Sequence, residues 1–267
     1  MPDGETATVA GVDALRSDDG PIFAVIGVFD GLHLGHRYLL RHLVVESERR
    51  RGRPAVITFD AHPDEVILGE APPLLLDPVD RLRLLGELGV EVVVVQHFDA
   101  ALRATEYDDF LHRITSRTRL AGLLMTPDAA FGHDRRGTPE TVRALAASEG
   151  FDLVVVPPFE IHGRSVRSSD IRAAIASGDL AEAQRLLGRP YAVVGQAAAA
   201  DSDGTVVTFS PPRALPPDGA WQATVQAWPR TLSTPSAAPV ELDFAGGRAR
   251  LEGPPPAGQV EIAFGPG

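Results

Sequence analysis

Between residues 22 and 190 the chain alternates short, continuously apolar runs with segments whose apolar residues recur at helical spacing. The runs fall at 22–29, 55–59, 90–98, 120–125 and 153–156. A strand with one wet face alternates apolar and polar residues. Runs without that alternation suit a parallel sheet covered on both sides. The expected fold is therefore α/β, a doubly wound, Rossmann-like parallel sheet that binds ligands beyond the carboxyl ends of its strands.

The intervening helices carry their own punctuation. Asp77-Pro78 reads as N-cap and first helical position, Val79, Leu82, Leu85 and Leu88 as the buried stripe, and Gly89 as the stop. Thr105 reads as the cap of a segment burying Tyr107, Phe110, Leu111 and Ile114, and Thr138-Pro139 opens a helix ending near Gly150. Asp179 with Glu182 forms a capping-box-like pair ahead of Ala183, Leu186 and Leu187, and Gly188 closes that helix. After Tyr191 the chain becomes rich in Ala, Pro and Gly. Short alternating stretches at 205–209, 221–228, 240–244 and 260–264 are separated by turn clusters at 216–219, 246–247 and 253–256. These predict a small antiparallel β domain resembling an incomplete barrel, with 197–200 as loop or strand edge. The expected domains are 1–190 and 191–267.

A chain of 267 residues with 44% apolar residues can bury a sizeable core. Its net charge of −11 argues against a nucleic-acid binder, and Arg49-Arg50-Arg51 with Arg53 reads as the solvated end of the first helix. The absence of cysteine removes disulfides, thiolate catalysis and cysteine-bound zinc. Met1-Pro2-Asp3-Gly4-Glu5 is unlike a secretory signal, and no apolar stretch approaches the roughly 20 residues that span a bilayer. A soluble cytoplasmic protein without membrane or nucleic-acid partners is the expectation.

The chemistry-bearing motif is Gly27-Val28-Phe29-Asp30-Gly31-Leu32-His33-Leu34-Gly35-His36. It joins the first apolar run to a helical segment carrying Leu39, Leu40, Leu43 and Val44. Unpaired backbone N–H groups and the positive end of the helix dipole collect at such a junction. Gly31 and Gly35 would let a phosphate approach the backbone, and His33 and His36, three apart, would donate to its oxygens. The plainer alternative makes both histidines ordinary residues at the start of a helix. Ser168 and Ser169 open another helix, where a simple cap is the alternative to anion binding, and Arg172 is open between a phosphate contact and a solvated arginine. Phe59, ending a strand, is open between core and aromatic ligand. His62 before Pro63 lies on a rigid turn at a strand's carboxyl end, where a site residue is favoured over a plain surface histidine, whereas His42, His97, His112, His133 and His162 have no surrounding ligand set. No dedicated carboxylate cage is visible, so no metal site of the protein's own is expected.

The His-x-Gly-His turn is a nucleotidyltransferase signature. Together with Thr58-Phe59-Asp60-Ala61-His62-Pro63, Asp128-Ala129-Ala130-Phe131-Gly132, Ser168-Ser169-Asp170-Ile171-Arg172 and Leu187-Gly188-Arg189-Pro190-Tyr191, it resembles the bacterial bifunctional riboflavin kinase/FAD synthetase family over about residues 20–195. The resemblance implies transfer of AMP from ATP to FMN, giving FAD and pyrophosphate, with Mg²⁺ arriving on ATP. It implies His33, His36, Ser168 and Arg172 as catalytic residues. It assigns Gly27, Phe29, Asp30, Gly31, Gly35, Asp128 and Ser169 to ATP, and Phe59, Asp60, His62, Pro63 and Phe131 to the flavin.

Departures from the family pattern fall at Thr126, Ala129, Arg167 and Asp170. They leave open another phosphorylated acceptor, or a catalytically weak flavin- or nucleotide-binding regulator. In the second domain, Leu215-Pro216-Pro217-Asp218-Gly219 and Val240-Glu241-Leu242-Asp243-Phe244 resemble kinase-domain segments. The family's Pro-Thr-Ala-Asn motif is missing, and Glu241 alone stands in a matching context. A kinase-inactive module used for packing or homo-oligomer contacts is expected, with adenylyl transfer surviving its removal beyond about residue 195 if the first domain folds alone.

Overall fold

The computed structural model describes residues 6–200, 204–229, 238–253 and 258–265. The N-terminal Met1–Glu5 stretch and the Pro254-Pro255-Pro256 turn lie outside them. The chain divides into two compact units. The first holds residues up to 29, 35–72 and 78–165; the second holds 30–34, 73–77 and everything from 166 onward.

The first unit is built on six parallel strands: β1 (Ala7–Ala10), β2 (Ile22–Ile26), β3 (Arg53–Phe59), β4 (Val92–Gln96), β5 (Leu120–Met125) and β6 (Asp152–Val155). Their order is β1-β4-β3-β2-β5-β6. Residues 54–58 of β3 are all buried, as are 92–94 of β4, so both sheet faces are covered, as unbroken apolar runs require. Each run of the sequence supplies a strand. Only β1 is unannounced, a four-residue edge strand paired to β4.

The helices of this unit are α1 (Leu34–Arg49), α2 (Pro63–Leu68), α3 (Pro78–Glu87), α4 (Ala100–Arg103), α5 (Tyr107–Thr115) and α6 (Pro139–Glu149). A short hairpin, β7 (Glu160–Ile161) with β8 (Arg164–Ser165), ends it. Thr138 caps α6 by accepting from the Thr141 amide, and Gly150 ends it in the left-handed region. Two details differ from expectation. Val79 is exposed, because α3 turns Asp80, Arg81 and Leu85 inward instead. Thr105 donates its hydroxyl back to the Ala101 carbonyl at the end of α4, and Glu106 takes the cap position of α5.

The strand order reverses beside β2: β3 and β4 lie to one side, β5 and β6 to the other. Crevices open at such reversals, beyond the strands' carboxyl ends. Residues 27–29 leave β2 at that place.

The second unit contains α7 (Ser168–Ala176), α8 (Leu180–Leu187) and six strands: β9 (Ala192–Ala199), β10 (Gly204–Thr208), β11 (Gly219–Ala227), β12 (Ala238–Ala245), β13 (Arg248–Glu252) and β14 (Gln259–Phe264). The strands close into an antiparallel barrel, β10-β13-β12-β11-β14-β9. The barrel is closed and not incomplete as expected: residues 197–199, expected as loop or strand edge, belong to β9, which pairs with both β10 and β14 and leaves no free edge among the described strands. Asp179 caps α8 by accepting from the Glu182 amide, and Gly188 ends it. Among the described residues no helix is long and apolar enough to cross a membrane.

Candidate active site

In the first unit, the turn after β2 is held by its carbonyls. The Gly27 amide donates to the Ile57 carbonyl at 3.0 Å, the last rung between β2 and β3. The Val28 carbonyl accepts from the Thr58 hydroxyl and from Arg81 Nη1, both at 3.1 Å. Arg81 Nη2 also donates to the Phe59 carbonyl at 2.8 Å, so one buried guanidinium ties the ends of two neighbouring strands. Phe29 is buried at φ +54°, a costly conformation for a bulky residue. Its ring packs against that of His36, in the first turn of α1, at 5.1 Å between centroids.

Beyond these strand ends lies a cavity of about 550 Å³. Its wall includes Gly27 and Val28 from the turn, Phe59, His62 and Pro63 from the β3 end, Phe98 after β4, and Phe131. Phe59 and Phe98 meet edge to face at 5.2 Å, and Phe131 meets Phe110 in the same way at 6.2 Å. Aromatic walls with a few polar groups suit a flat, partly polar ligand. His62 caps α2, its Nδ1 accepting from the Asp64 amide. Asp60 ties down the segment after β4: its carboxylate accepts from the Ala61 and Phe98 amides and from His97 Nδ1 at 2.6 Å. Burial would raise the Asp60 pKa, but these three bonds outweigh it and lower the value; the same pairing raises that of His97. Asp128 is exposed, turned back onto the Thr126 hydroxyl at 2.8 Å, and does not belong to the cavity wall.

In the second unit, residues 30–34 carry the rest of the motif. The buried Asp30 carboxylate accepts from the Leu75 amide at 3.0 and 3.1 Å and from the Leu76 amide at 3.2 Å. It also pairs with Arg172 Nη2 at 2.5 Å, while the Asp30 carbonyl accepts from the Ser168 hydroxyl at 3.0 Å. Asp30, Ser168 and Arg172 are thus brought together, and much of their hydrogen-bonding capacity is spent on each other. Ser168 opens α7 as its first residue, behind Arg167 in the cap position; Ser169, next along, is exposed. Gly31 sits at φ +81°, and a Cβ there would come within 3.0 Å of Leu75, so only glycine fits this bend. His33 is buried. Burial, then the positive charge of Arg189, lowers its pKa from 6.5 to about 4, so it is neutral at neutral pH. Arg189 reaches back to the Leu32 carbonyl at 3.5 Å.

Sequence reasoning missed Arg81, Arg189 and Phe98. Phe98 had a signal, the aromatic ending an apolar run. The two arginines stand in segments that resemble the family, Asp80-Arg81-Leu82 and Leu187-Gly188-Arg189-Pro190-Tyr191, but nothing in them announces a role, since each acts on a carbonyl remote in sequence.

Residues 15–170, more than half of the chain, match the family described as FAD synthetase. The chain belongs to that family. It is 31% identical over 186 residues to the bifunctional riboflavin kinase/FMN adenylyltransferase of Haemophilus influenzae, covering 69% of this chain and 60% of that one. It is 32% identical to the protein of the same description from Escherichia coli K12, over 69% of this chain and 59% of that one. The chain thus spans about 60% of the length of these relatives. Among solved structures, a macrolide-efflux protein from Streptococcus pneumoniae shares the fold, with a TM-score of 0.78 at 20% identity, over 97% of this chain and 89% of that one.

Proposed function

We propose that this chain transfers AMP from ATP to FMN, giving FAD and pyrophosphate. The observation that carries the reading is the cavity walled by Phe59, Phe98 and Phe131, which reaches Gly27 and Val28 at the head of the phosphate turn. It has room for an isoalloxazine ring beside backbone suited to phosphate. The FMN phosphate is already a competent nucleophile. One of its oxygens attacks the α-phosphorus, the bond to the bridging oxygen breaks, and pyrophosphate leaves with the electron pair. No general base is required, so the protein's task is in-line positioning and charge stabilisation.

His33 suits that task because it stays neutral and donates an N–H without a second charge to neutralise. His36, in the first turn of α1, is the second donor. We assign Asp30 to holding the turn, since its carboxylate is occupied by two amides and Arg172. Ser168 and Arg172 keep their assignment as catalytic residues, Ser169, Gly27, Phe29, Gly31, Gly35 and Asp128 theirs to ATP, and Phe59, Asp60, His62, Pro63 and Phe131 theirs to the flavin. Among the described residues no group of three or more His, Asp or Glu side chains is placed to hold a metal. We assign Mg²⁺ to the triphosphate, where it would neutralise charge on the leaving pyrophosphate.

A second reading, another phosphorylated acceptor, draws on Ala129, which packs against the core near Phe131 where the family pattern has an aromatic residue. We further read residues 191–267 as lacking kinase activity. Glu241 is exposed and accepts from Gln222, so it stands as one possible base, and the sequence lacks the family's Pro-Thr-Ala-Asn segment. Incubation with ATP, Mg²⁺ and either FMN or riboflavin, followed by separation of the flavins, tests both statements. FAD from FMN and no FMN from riboflavin is expected; FMN appearing from riboflavin would overturn the second.

A further inference from the structure

Within the second unit, the apolar stretch 73–77 is tied to the segment just before β11. Leu74 bridges Arg213: its amide donates to the Pro212 carbonyl at 2.9 Å, and the Ala214 amide donates to the Leu74 carbonyl at 3.0 Å. Three residues on, Asp77 accepts from Arg213 Nη2 at 2.7 Å, with both side chains more than nine-tenths buried. Between these two attachments lie the Leu75 and Leu76 amides that hold the Asp30 carboxylate. Arg172 links the same two segments a second time, through Asp30 and through the Pro73 carbonyl at 2.8 Å. Segments 212–214, 73–77 and 30–34 are therefore connected in series, and the last carries His33.

The chemistry of Arg213 sets it apart from an ordinary stabilising residue. Its Nε and Nη1 are buried without a hydrogen-bond partner among the described residues. Each is a net cost, and a buried ion pair is often no more stable than apolar side chains filling the same volume. What an apolar side chain cannot do is fix the register of 73–77 by gripping Asp77.

We propose that Arg213 is a positioning residue for adenylyl transfer, and that residues 212–214 serve to lock the Asp30–His33 turn through the strap 73–77. The proposal rests on the catalytic reading above, so its test carries a readout independent of activity. Hydrogen exchange is measured on the full-length Arg213→Met, Arg213→Lys and Asp77→Asn variants, alongside KM and kcat for ATP and FMN. In Arg213→Met the Leu75 and Leu76 amides should exchange about tenfold faster or more, while Val207 in β10 and Ile262 in β14 stay protected. KM for ATP should rise several-fold with KM for FMN little changed, and Arg213→Lys, which keeps a cation beside Asp77, should recover most of the loss.

Unchanged exchange at Leu75 and Leu76 in the Met and Asn variants overturns the proposal. So does faster exchange throughout the barrel, which would mark a purely stabilising role. If Arg213→Met fails to fold, Asp77→Asn decides by the same criteria. If the wild type makes no FAD, the catalytic reading falls, and the exchange data still decide whether Arg213 holds the strap.

Discussion

His33 is buried and neutral, and its environment makes protonation costly in the folded state. The folded value is about 4 against an ordinary 6.5, so between these pH values the unfolded chain binds more protons than the folded one. Stability should therefore be fully present above pH 6.5 and fall as the pH drops toward 4, by about 3 kcal/mol in total. Denaturant titrations at several pH values on the wild type and on His33→Asn check this. The variant should lose that part of the slope, and an identical slope would mean His33 is not its source. His36→Ala should lower turnover by about 10²–10³, as expected for one lost transition-state donor, with little change in KM for FMN. Because its ring also packs on Phe29, the melting temperature should be recorded in parallel. A variant that melts lower but turns over normally would make His36 structural only. Arg81 shows what residue-level reading cannot reach. Helical spacing places it on a polar face, yet its guanidinium is drawn inward by the carbonyls of Val28 and Phe59, and only the fold brings those two together.

At the scale of elements, the cavity depends on how its lip is bent. Phe131 and Gly137 exchange backbone bonds at 3.3 and 2.9 Å, closing a loop in which Gly132 sits at φ +75°. A Cβ on Gly132 would lie 2.6 Å from the Tyr107 backbone nitrogen, which cannot yield as a flexible side chain would. Gly132→Ala should therefore displace Phe131 and raise KM for FMN about tenfold, with KM for ATP much less affected. Steady-state kinetics with each substrate varied would show this, and equal effects on both would point to general disruption. The central strands and the helix ends at Thr138, Gly150, Asp179 and Gly188 were legible because continuous apolar runs and caps are local signals. β1 was not, as a four-residue edge strand with two half-buried and two exposed residues carries too little pattern. β13 hides its alternation because Ala249 is one of its inward residues. The stretch 73–77 gave no period at all, since Leu74 pairs with residues more than a hundred positions away.

At the scale of the whole molecule, the two compact units do not divide where composition changes. The composition shift near residue 191 marks the start of the barrel strands, but residues 30–34, 73–77 and 166–190 group with them. Against the expectation that the chain up to about residue 195 keeps adenylyl transfer, we propose from this grouping that the barrel contributes to it. Such a truncation removes Arg213 and the 212–214 pairing, and it should lose most FAD formation even if the sheet still forms. Circular dichroism with a flavin assay would check it, and near-full activity in the truncated chain would show the barrel dispensable. The site followed the same division between local and remote signals. Motif and spacing single out His33, His36 and the aromatic Phe59 as candidates, whereas the occupancy of Asp30 by Leu75, Leu76 and Arg172 depends on contacts that the sequence does not announce.

The most direct measurement follows the α-phosphate. The full-length protein is incubated with Mg²⁺, FMN and ATP labelled at either the α- or the γ-phosphate, and the flavin and pyrophosphate fractions are separated. The α-label is expected in FAD and the γ-label in pyrophosphate, in equal amounts and dependent on FMN. If FMN and ATP both bind but no label reaches the flavin, or if another phosphorylated acceptor takes the α-label much faster, the central claim is contradicted.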